Sequence, residues 1–385
     1  MPRSGDKRNI PIAVPSTGDE EWEALREPLR SGWITQGPKV KAFEQAFATR
    51  HGVPHALATT SCTTALHLAL AAIGVGQGDE VIVPAFTWVA TANAVLYCGA
   101  TPVFVDVLPD TYNIDAMAVE AAVTPATKAV IPVHLFGLAA EMDDLRAAVP
   151  EGVRLIEDAA CGAGASYRGK PAGALGDAGC FSFHPRKSIT TGEGGMLTTA
   201  DEELAARAEV KRNHGASVAE EVRHLGNAPY LLPAFDELGY NYRMTDIQGA
   251  LGLVQLAKLD GFVAERDRWA RWYMENLADL PWLFMPSVPE GGDGHAWQSF
   301  VTVVGDGAPH PRNEIMQILH DRGVSTRPGT HAVTELGFYR NTFGLAPGQY
   351  KVAASLQEQT MAIPLHNRMS DEDYAYVVDA LHDLA

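Results

Sequence analysis

The chain has 385 residues, of which 46% are hydrophobic and 20% are charged, and its formal net charge is −17 at pH 7. This composition is typical of a globular protein and excludes disordered and fibrous classes, and the length predicts two domains, one large and one smaller. The negative charge argues against nucleic acid or an anionic membrane as a partner, because binding to phosphates depends on clustered cations.

The cysteines and the first residues of the chain indicate a compartment. Four cysteines are spread along the chain without a CxxC pair, namely Cys62, Cys98, Cys161 and Cys180. This distribution favours a reducing environment over a disulfide framework. The N-terminus lacks the apolar core of a signal peptide, and no run approaches the roughly 18 apolar residues of a membrane helix. We therefore expect a soluble, cytoplasmic protein.

One pair of histidines has the spacing of metal ligands on a helix. His51 and His55 are four residues apart, but Gly52 and Pro54 interrupt the helix that such a pair requires. The sequence therefore predicts no metal site.

From residue 55 onward, short apolar runs alternate with longer helical patterns. The apolar runs are "HALATT", "EVIVPAF", "TPVFVDV", "KAVIPVHLFG" and "VRLIED". After the first of them, Leu66, Leu70 and Ile73 recur at helical spacing. This alternation predicts an α/β fold with a mainly parallel sheet covered by helices on both faces. Two further strands, "AGCFSFHP" and "GGMLTTA", are expected to lie side by side around a loop.

A long helix is predicted near residue 245. Thr245 and Gln248 form a capping-box pattern at its start, and apolar positions such as Leu251, Val254 and Phe262 follow. A helix of this length usually bridges two domains, and the segments beyond it suggest a small α/β domain. We therefore expect a large domain over residues 1–250, including the N-terminal segment, and a smaller C-terminal domain over residues 251–385.

Polar residues follow several predicted strands, where parallel sheets bind their ligands. Ser61, Cys62 and Thr63 begin a helix, whose free backbone N–H groups and dipole favour a bound phosphate, although an ordinary N-cap is the alternative. Trp88 follows "EVIVPAF" and either packs in the core or lies on a planar ligand. Asp158 ends an apolar strand. If its carboxylate is buried there, it requires a cation or hydrogen-bond donors to compensate for lost hydration. The alternative is an ordinary loop or helix-capping aspartate.

A single lysine, Lys187, lies in "FSFHPRKSITTGEGG" between a strand and a glycine-rich loop. Phe181 and Phe183 alternate on the strand, and Ser182 contributes a hydroxyl group. A solvated surface lysine is the alternative, but a partly desolvated amine acts as a nucleophile toward carbonyls. Pyridoxal 5'-phosphate requires a lysine, a carboxylate for its ring nitrogen, an aromatic side chain and a phosphate site. The four features together predict this cofactor.

These residues resemble the DegT/DnrJ/EryC1/StrS aminotransferases. The matching segments run through most of the chain: "SGWITQGPKVKAFE", "TTSCTTALHLAL", "VPAFTWVATANAV", "VHLFG", "LIEDAA", "FSFHPRKSITTGEGG" and "LGYNYRMTDIQGALG". The resemblance implies the fold type I of pyridoxal-phosphate-dependent transferases, with a large domain built on a mixed, mainly parallel sheet and a smaller C-terminal α/β domain. It also implies an aminotransferase that acts on nucleotide-linked keto-sugars or on some keto-cyclitols.

The resemblance implies a role for each matching residue. Lys187 would bind the aldehyde of the cofactor and then shuttle a proton between cofactor and substrate carbons. Asp158 would keep the pyridine nitrogen protonated, and Trp88 would stack on the ring. Asn241 would reach the phosphate of the neighbouring subunit's cofactor, so the active unit would be a homodimer with active sites at the subunit interface.

The resemblance also implies which residues would contact the phosphate and the phenolic oxygen of the cofactor. Ser61, Cys62, Thr63 and Ser182 would form the phosphate site, and Cys62 stands where the family often has glycine. Cys161 stands where the family often has glutamine or histidine beside the phenolic oxygen, so its role there is weaker.

Arg243, Arg327 and His331 are candidates for binding an anionic substrate, with solvated loop charges as the alternative. A related branch carries histidine in place of the lysine and dehydrates sugars, so Lys187 favours amine transfer. We expect a ping-pong reaction in which an amino acid, most simply glutamate, supplies the amine to a nucleotide-linked deoxy-keto-sugar. The alternatives are a keto-cyclitol aminotransferase of the scyllo-inosose type and a non-catalytic cofactor-binding regulator.

Overall fold

The structure is a computed structural model that describes residues 8–217, 230, 232–288 and 294–384. The strands in these ranges are β1 (His55–Thr59), β2 (Glu80–Pro84), β3 (Phe86–Thr87), β4 (Thr101–Val105), β5 (Thr127–Val130), β6 (Arg154–Asp158), β7 (Ser166–Tyr167), β8 (Lys170–Pro171), β9 (Ala178–Ser182), β10 (Gly195–Thr199), β11 (Leu283–Phe284), β12 (Phe300–Val304), β13 (Arg327–Pro328), β14 (His331–Ala332) and β15 (Thr360–Ile363).

The helices in the same ranges are α1 (Asp19–Ala24), α2 (Arg26–Ser31), α3 (Pro38–His51), α4 (Cys62–Ala72), α5 (Ala90–Tyr97), α6 (Ala116–Ala122), α7 (Met142–Ala148), α8 (Glu202–Arg212), α9 (Asp246–Asn276), α10 (Arg312–Asp321), α11 (Gly337–Phe343), α12 (Lys351–Gln359) and α13 (Asp371–His382). Single 3-10 turns cover Leu135–Gly137 and Val333–Glu335. None of the helices within the described ranges is both long and apolar enough to cross a membrane.

A seven-stranded sheet forms the centre of the N-terminal part, in the order β1–β10–β9–β6–β5–β2–β4. The pairs β2–β4, β2–β5, β5–β6 and β6–β9 are parallel. β10 runs antiparallel to both of its neighbours, β1 and β9. The prediction of a mixed, mainly parallel sheet is therefore confirmed. Because β1, β6 and β9 run in one direction, the residues that follow them meet at one edge of the sheet.

The two faces of this sheet are covered by different helices. On one face, α4 buries Leu66, Leu68 and Leu70 in a core shared with strand residues such as Val81 and Leu197. On the other face, an aromatic group from α3 and β9 packs against α9. The continuous apolar character of the strands follows from this burial on both sides.

The long helix α9 has 31 residues and begins as predicted. Thr245 accepts a hydrogen bond from the backbone N–H of Gln248, and the Gln248 side chain accepts one from the Thr245 N–H, so the capping box is confirmed. Asp246 at the start of α9 also accepts hydrogen bonds from the backbone N–H groups of Lys39 and Val40, at 3.1 and 3.0 Å. The starts of α9 and α3 therefore both receive acceptors for their free N–H groups.

A four-stranded antiparallel sheet, in the order β11–β12–β15–β13, forms the C-terminal part. The N-terminal segment pairs with this part rather than with the larger sheet: the Ile10 N–H donates to the carbonyl of Gly323 at 2.8 Å, and the Ser325 N–H donates to the carbonyl of Ile10 at 2.9 Å. The division at residue 250 stays a prediction, and we propose that residues 8–17 belong with the C-terminal unit.

The edge strand β1 is closed by a buried ion pair. Glu44 of α3 accepts a hydrogen bond from the Ala58 N–H at 2.8 Å, and Arg212 of α8 donates to the Ala58 carbonyl at 2.8 Å. Arg212 also pairs with Glu44 and Glu209, and its side chain is 2% exposed. Burial raises the pKa of Glu44, because the ionised carboxylate loses its hydration. The pair therefore satisfies backbone groups that would otherwise form an open sheet edge.

Removing the cation of this pair should destabilise the fold. We expect Arg212→Met to lower the free energy of unfolding by about 3 kcal/mol, because Glu44 stays buried without its partner. Arg168→Met is the control, since Arg168 pairs with Asp143 at an exposed site, and its cost should stay below about 1 kcal/mol. Urea denaturation of both variants measures the difference, and equal losses would contradict the role given to Arg212.

Candidate active site

A cleft of about 340 Å³ lies at the edge of the sheet where β1, β6 and β9 end. Nine of the predicted residues line it: Ser61, Cys62, Thr63, Trp88, Asp158, Cys161, Ser182, Lys187 and Arg327. Residues far apart in the sequence are thus brought together at the position where parallel sheets bind ligands.

The start of α4 forms one wall of the cleft. Ser61 is the N-cap, and its hydroxyl accepts a hydrogen bond from the Thr64 N–H at 3.2 Å. The N–H groups of the first helical turn have no partner within the helix, so those of Cys62 and Thr63 are suited to a phosphate. The ordinary N-cap and the phosphate site are therefore compatible, because different groups serve them.

The side chain of Cys62 does not take part in this phosphate site. Its thiol donates to the carbonyl of Cys180 at 3.2 Å and lies 3.8 Å from an oxygen of Asp158. Burial raises the pKa of the Cys62 thiol well above its ordinary value, so the group stays neutral. Cysteine at this position therefore leaves its backbone N–H available to a ligand.

Gly195 allows this helix start to lie against β10. A Cβ atom at Gly195 would collide with the carbonyl of Ser61 and would come within 2.7 Å of the Cys62 nitrogen. At the neighbouring Gly194, φ is +158° and a Cβ atom would collide with the Thr191 hydroxyl. Gly194 and Gly195 thus permit close approaches that a side chain would block.

Asp158 is 5% exposed and is held by neutral donors. Its Oδ2 accepts a hydrogen bond from the Thr91 hydroxyl at 2.8 Å, and its Oδ1 accepts one from the Ala160 N–H at 3.1 Å. These two donors fix the orientation of the carboxylate without neutralising its charge. The group is therefore suited to a cationic partner within the cleft, such as a protonated ring nitrogen.

Lys187 is half-buried, and its ammonium group lies against another predicted residue. Its Nζ donates to the Sγ of Cys161 at 3.2 Å. The loop that carries it is internally bonded, since the Lys187 N–H donates to the His184 carbonyl at 2.8 Å and the Thr190 hydroxyl donates to the Phe183 carbonyl at 2.9 Å. Lys187 therefore does not match the alternative of a solvated surface lysine.

Three predicted residues do not line the cleft of their own chain. Asn241 is exposed. Arg243 donates to the side-chain oxygen of Asn213 at 2.7 Å. His331 is exposed and contacts the ring of Trp88, with 5.6 Å between ring centroids. The roles given to these residues stay predictions.

Sequence reasoning missed several residues of the site. Thr91, which holds Asp158, is on α5 three residues after Trp88, and this proximity was the available signal. His184, Arg186, Glu193 and Gln298 also line the cleft. The charged residues flank Lys187 in the sequence, but nothing local indicates which of them face the cleft.

Glu157 and His134 form a buried pair behind the cleft that the sequence also did not reveal. Glu157 accepts hydrogen bonds from the backbone N–H groups of Gly173, Leu175 and Gly176 and from His134 Nε2, the last at 2.8 Å. His134 Nδ1 accepts from the Ala140 N–H, so Nε2 carries the proton. Because side chains alternate along a strand, Glu157 faces away from Asp158 and anchors a neighbouring loop.

The residues of the cleft fit pyridoxal 5'-phosphate. The helix start and the Ser182 hydroxyl offer donors for a phosphate, and Asp158 offers a buried carboxylate for the ring nitrogen. Trp88 is 51% exposed and presents an aromatic face at the cleft. Lys187 supplies the amine. This donor set is the one that the cofactor requires.

Known proteins resemble this chain along nearly its whole length. The spore coat polysaccharide biosynthesis protein SpsC of Bacillus subtilis (strain 168) is 41% identical over 383 residues, which cover 98% of each chain. The GDP-perosamine synthase of Caulobacter vibrioides is 41% identical over 379 residues, which also cover 98% of each chain.

Solved structures have the same fold. The sugar aminotransferase Spr1654 of Streptococcus pneumoniae in its PMP form has a TM-score of 0.92 and 29% identity, covering 98% of this chain and 99% of that chain. Its PLP form has a TM-score of 0.90 and 30% identity, covering 98% of both chains. The predicted fold type and the predicted cofactor, pyridoxal 5'-phosphate, are confirmed.

The family model of the DegT/DnrJ/EryC1/StrS aminotransferases matches residues 15–382, which is nearly the whole chain. The match includes every residue of the cleft named above. The chain is therefore an enzyme that belongs to the DegT/DnrJ/EryC1/StrS aminotransferase family.

Proposed function

We propose that the chain moves an amino group from an amino acid, glutamate, to the keto group of a nucleotide-linked deoxy-keto-sugar. The observation that carries the proposal is the convergence of Lys187, Asp158 and the start of α4 on one cleft. The relatives support the sugar, since one of them is named a GDP-perosamine synthase and another a spore coat polysaccharide biosynthesis protein.

When bound, the cofactor supplies an electron sink and a carrier for the amine. Lys187 Nζ would accept a proton from the substrate carbon that loses the amine and would pass it to the cofactor within the same half of the reaction, and in the second half the transfer would run in the opposite direction. The Cys161 sulfur, 3.2 Å away, holds this amine at one side of the cleft. Asp158 would keep a proton on the ring nitrogen, and the donors from Thr91 and Ala160 hold the carboxylate in place.

The remaining residues bind and orient. The N–H groups of Cys62 and Thr63 and the Ser182 hydroxyl would hold the phosphate, and the N-cap Ser61 fixes the helix start. Trp88 would cover the ring. Asn241 is exposed and free to meet a second subunit, which supports a homodimer with its active sites at the interface.

Amine transfer should be lost when Lys187 is replaced. We expect Lys187→Ala to reduce amine transfer by about 10³-fold or more, because the residue both holds the cofactor and moves the proton. Borohydride reduction should label Lys187 in the wild-type protein and no lysine in the variant. Lys170→Ala, at an exposed position, is the control and should keep the wild-type rate and label. A wild-type rate in Lys187→Ala would contradict the assignment.

The charge of Asp158 should matter more than its shape. Asp158→Asn keeps the size of the side chain and the Thr91 contact but no longer favours a protonated ring nitrogen. We therefore expect the rate of amine transfer to fall by about 10²-fold or more. Thr91→Val removes only the supporting donor and should cost less. Single-turnover kinetics of the two variants give this order, and a rate for Asp158→Asn equal to that of the wild type would refute the pairing.

A panel of amine acceptors tests the substrate class. With glutamate as donor, we expect amino products from keto-sugars linked to UDP, GDP or dTDP, detected by mass spectrometry. Product from a free keto-cyclitol alone would favour the cyclitol alternative. Absence of product from every acceptor, together with bound cofactor, would favour the non-catalytic alternative.

A further inference from the structure

The loop that carries Lys187 joins β9 to β10, and its two ends are bonded to each other. The Phe183 carbonyl accepts hydrogen bonds from the Thr191 N–H at 3.0 Å and from the Thr190 hydroxyl at 2.9 Å. The Phe183 N–H donates to the Gly194 carbonyl at 2.9 Å. These bonds shape the base of the loop, and the position of Lys187 toward the cleft then depends on contacts from outside the loop.

Gln255 of α9 makes such a contact at a buried site. Its side chain is 1% exposed, and its Oε1 accepts a hydrogen bond from the Thr190 N–H at 3.1 Å. Thr190 is also buried, so water cannot take the place of the glutamine. Because a buried N–H without an acceptor is costly, Gln255 ties the loop to the long helix three residues after Lys187.

Two other glutamines hydrogen-bond to the backbone of this loop at its exposed surface. Gln248 Nε2 donates to the Glu193 carbonyl at 2.6 Å, and Gln298 Nε2 donates to the Arg186 carbonyl at 2.7 Å. Water replaces a donor at an exposed site with little loss of free energy. Of the three contacts, the one made by Gln255 is therefore the one that solvent cannot replace.

The orientation of the Gln255 amide is set by its other neighbours. Its Nε2 donates to the Ser16 carbonyl at 2.9 Å and to Glu21 Oε1 at 2.8 Å. Burial raises the pKa of Glu21, but hydrogen bonds from Lys258 and Gln255 outweigh burial and lower that pKa below its ordinary value. Because a carbonyl and an ionised carboxylate only accept, the amide nitrogen faces them and the amide oxygen faces Thr190.

The carboxylate beside Gln255 is itself held at both oxygens. Lys258 Nζ donates to Glu21 Oε1 at 2.7 Å, and the Gly18 N–H donates to Glu21 Oε2 at 2.8 Å. Gln255 thus belongs to a satisfied polar network that joins the N-terminal segment, α9 and the loop of Lys187. Such a network keeps its members in one arrangement.

We propose that Gln255 is a positioning residue for the amine of Lys187 and acts through the backbone N–H of Thr190. This inference rests on the proposed function, because it names a further residue on which proton transfer by Lys187 depends. Gln255 does not line the cleft, so it touches neither cofactor nor substrate. A displacement of a reacting group by about 1 Å slows a reaction by about 10²-fold, and a loop held at Thr190 limits such displacements.

Two substitutions of Gln255 separate positioning from stability. Gln255→Met removes the acceptor of the Thr190 N–H, whereas Gln255→Glu keeps an oxygen there but adds a second carboxylate beside Glu21. In Gln255→Met, we expect kcat and kcat/KM of the amino-donor half-reaction to fall equally, by about 10- to 100-fold, with an unchanged KM. Gln255→Glu should keep a rate within about 3-fold of the wild type, although its urea midpoint falls further than that of Gln255→Met.

Glu21→Gln gives the same separation where Gln255→Glu fails to fold. It removes the charge that pairs with Lys258 but leaves the Ser16 carbonyl to orient Gln255, so the urea midpoint should fall while the rate stays within about 2-fold of the wild type. Gln317→Met is the control, since Gln317 is an exposed glutamine of α10 that donates to Asp321 at 3.0 Å. A rate that follows the urea midpoint through all variants would show a purely structural role and overturn the proposal.

Hydrogen exchange and cofactor capture provide readouts that do not depend on turnover. The Thr190 amide should exchange about 10-fold faster or more in Gln255→Met, and at the wild-type rate in Gln255→Glu and Gln317→Met. Capture of added pyridoxal 5'-phosphate by Lys187, followed by absorbance, should slow by about 10-fold in Gln255→Met alone. Wild-type exchange and capture in Gln255→Met would refute the positioning role. If no amino acid drives the half-reaction in the wild type, the proposed function fails, and these two measurements still decide the role of Gln255.

Discussion

The buried carboxylate of Asp158 is the constraint on which the catalytic end of the sheet depends. A carboxylate that is 5% exposed is tolerated only where donors or a cation compensate for lost hydration. Its donors come from Thr91 on α5 and from the Ala160 N–H after β6, and the thiol of Cys62 on α4 lies beside it. Two helices and a strand end must therefore meet at one point, and the other cleft residues follow from that meeting.

At the end of β6, Glu157 and Asp158 lie on opposite faces of the sheet. Glu157 points away from the cleft, where it accepts hydrogen bonds from three backbone N–H groups of residues 173–176 and one from His134. This buried network fixes the end of β6 from behind. Asp158 can then hold a defined position toward the cleft, because its own N–H donates to the Pro132 carbonyl at 2.8 Å and its carbonyl accepts from the His134 N–H at 3.1 Å.

Much of the fold follows from local pattern, whereas the pairing of distant residues does not. Alternating apolar runs predicted the mainly parallel sheet, and the capping box at Thr245 predicted where α9 begins. Strand ends also located Ser61, Asp158 and Lys187. The contact of Gln298 with Arg186 joins residues 112 positions apart, and no local pattern encodes it. The pairing of Ile10 with Gly323 and Ser325 was missed for the same reason.

Charge in this molecule acts over short distances. A net charge of −17 would repel any anion if the whole surface acted together, but salt screens exposed charges beyond about 8 Å at physiological ionic strength. Only the cations that line the cleft then remain effective. Because Arg186 follows β9 and Arg327 begins β13, the positive mouth exists only where the two sheets are held together. The hydrogen bond from Gln298 to the Arg186 carbonyl is one link between those parts, so the positive charge at the mouth depends on the contact that joins them.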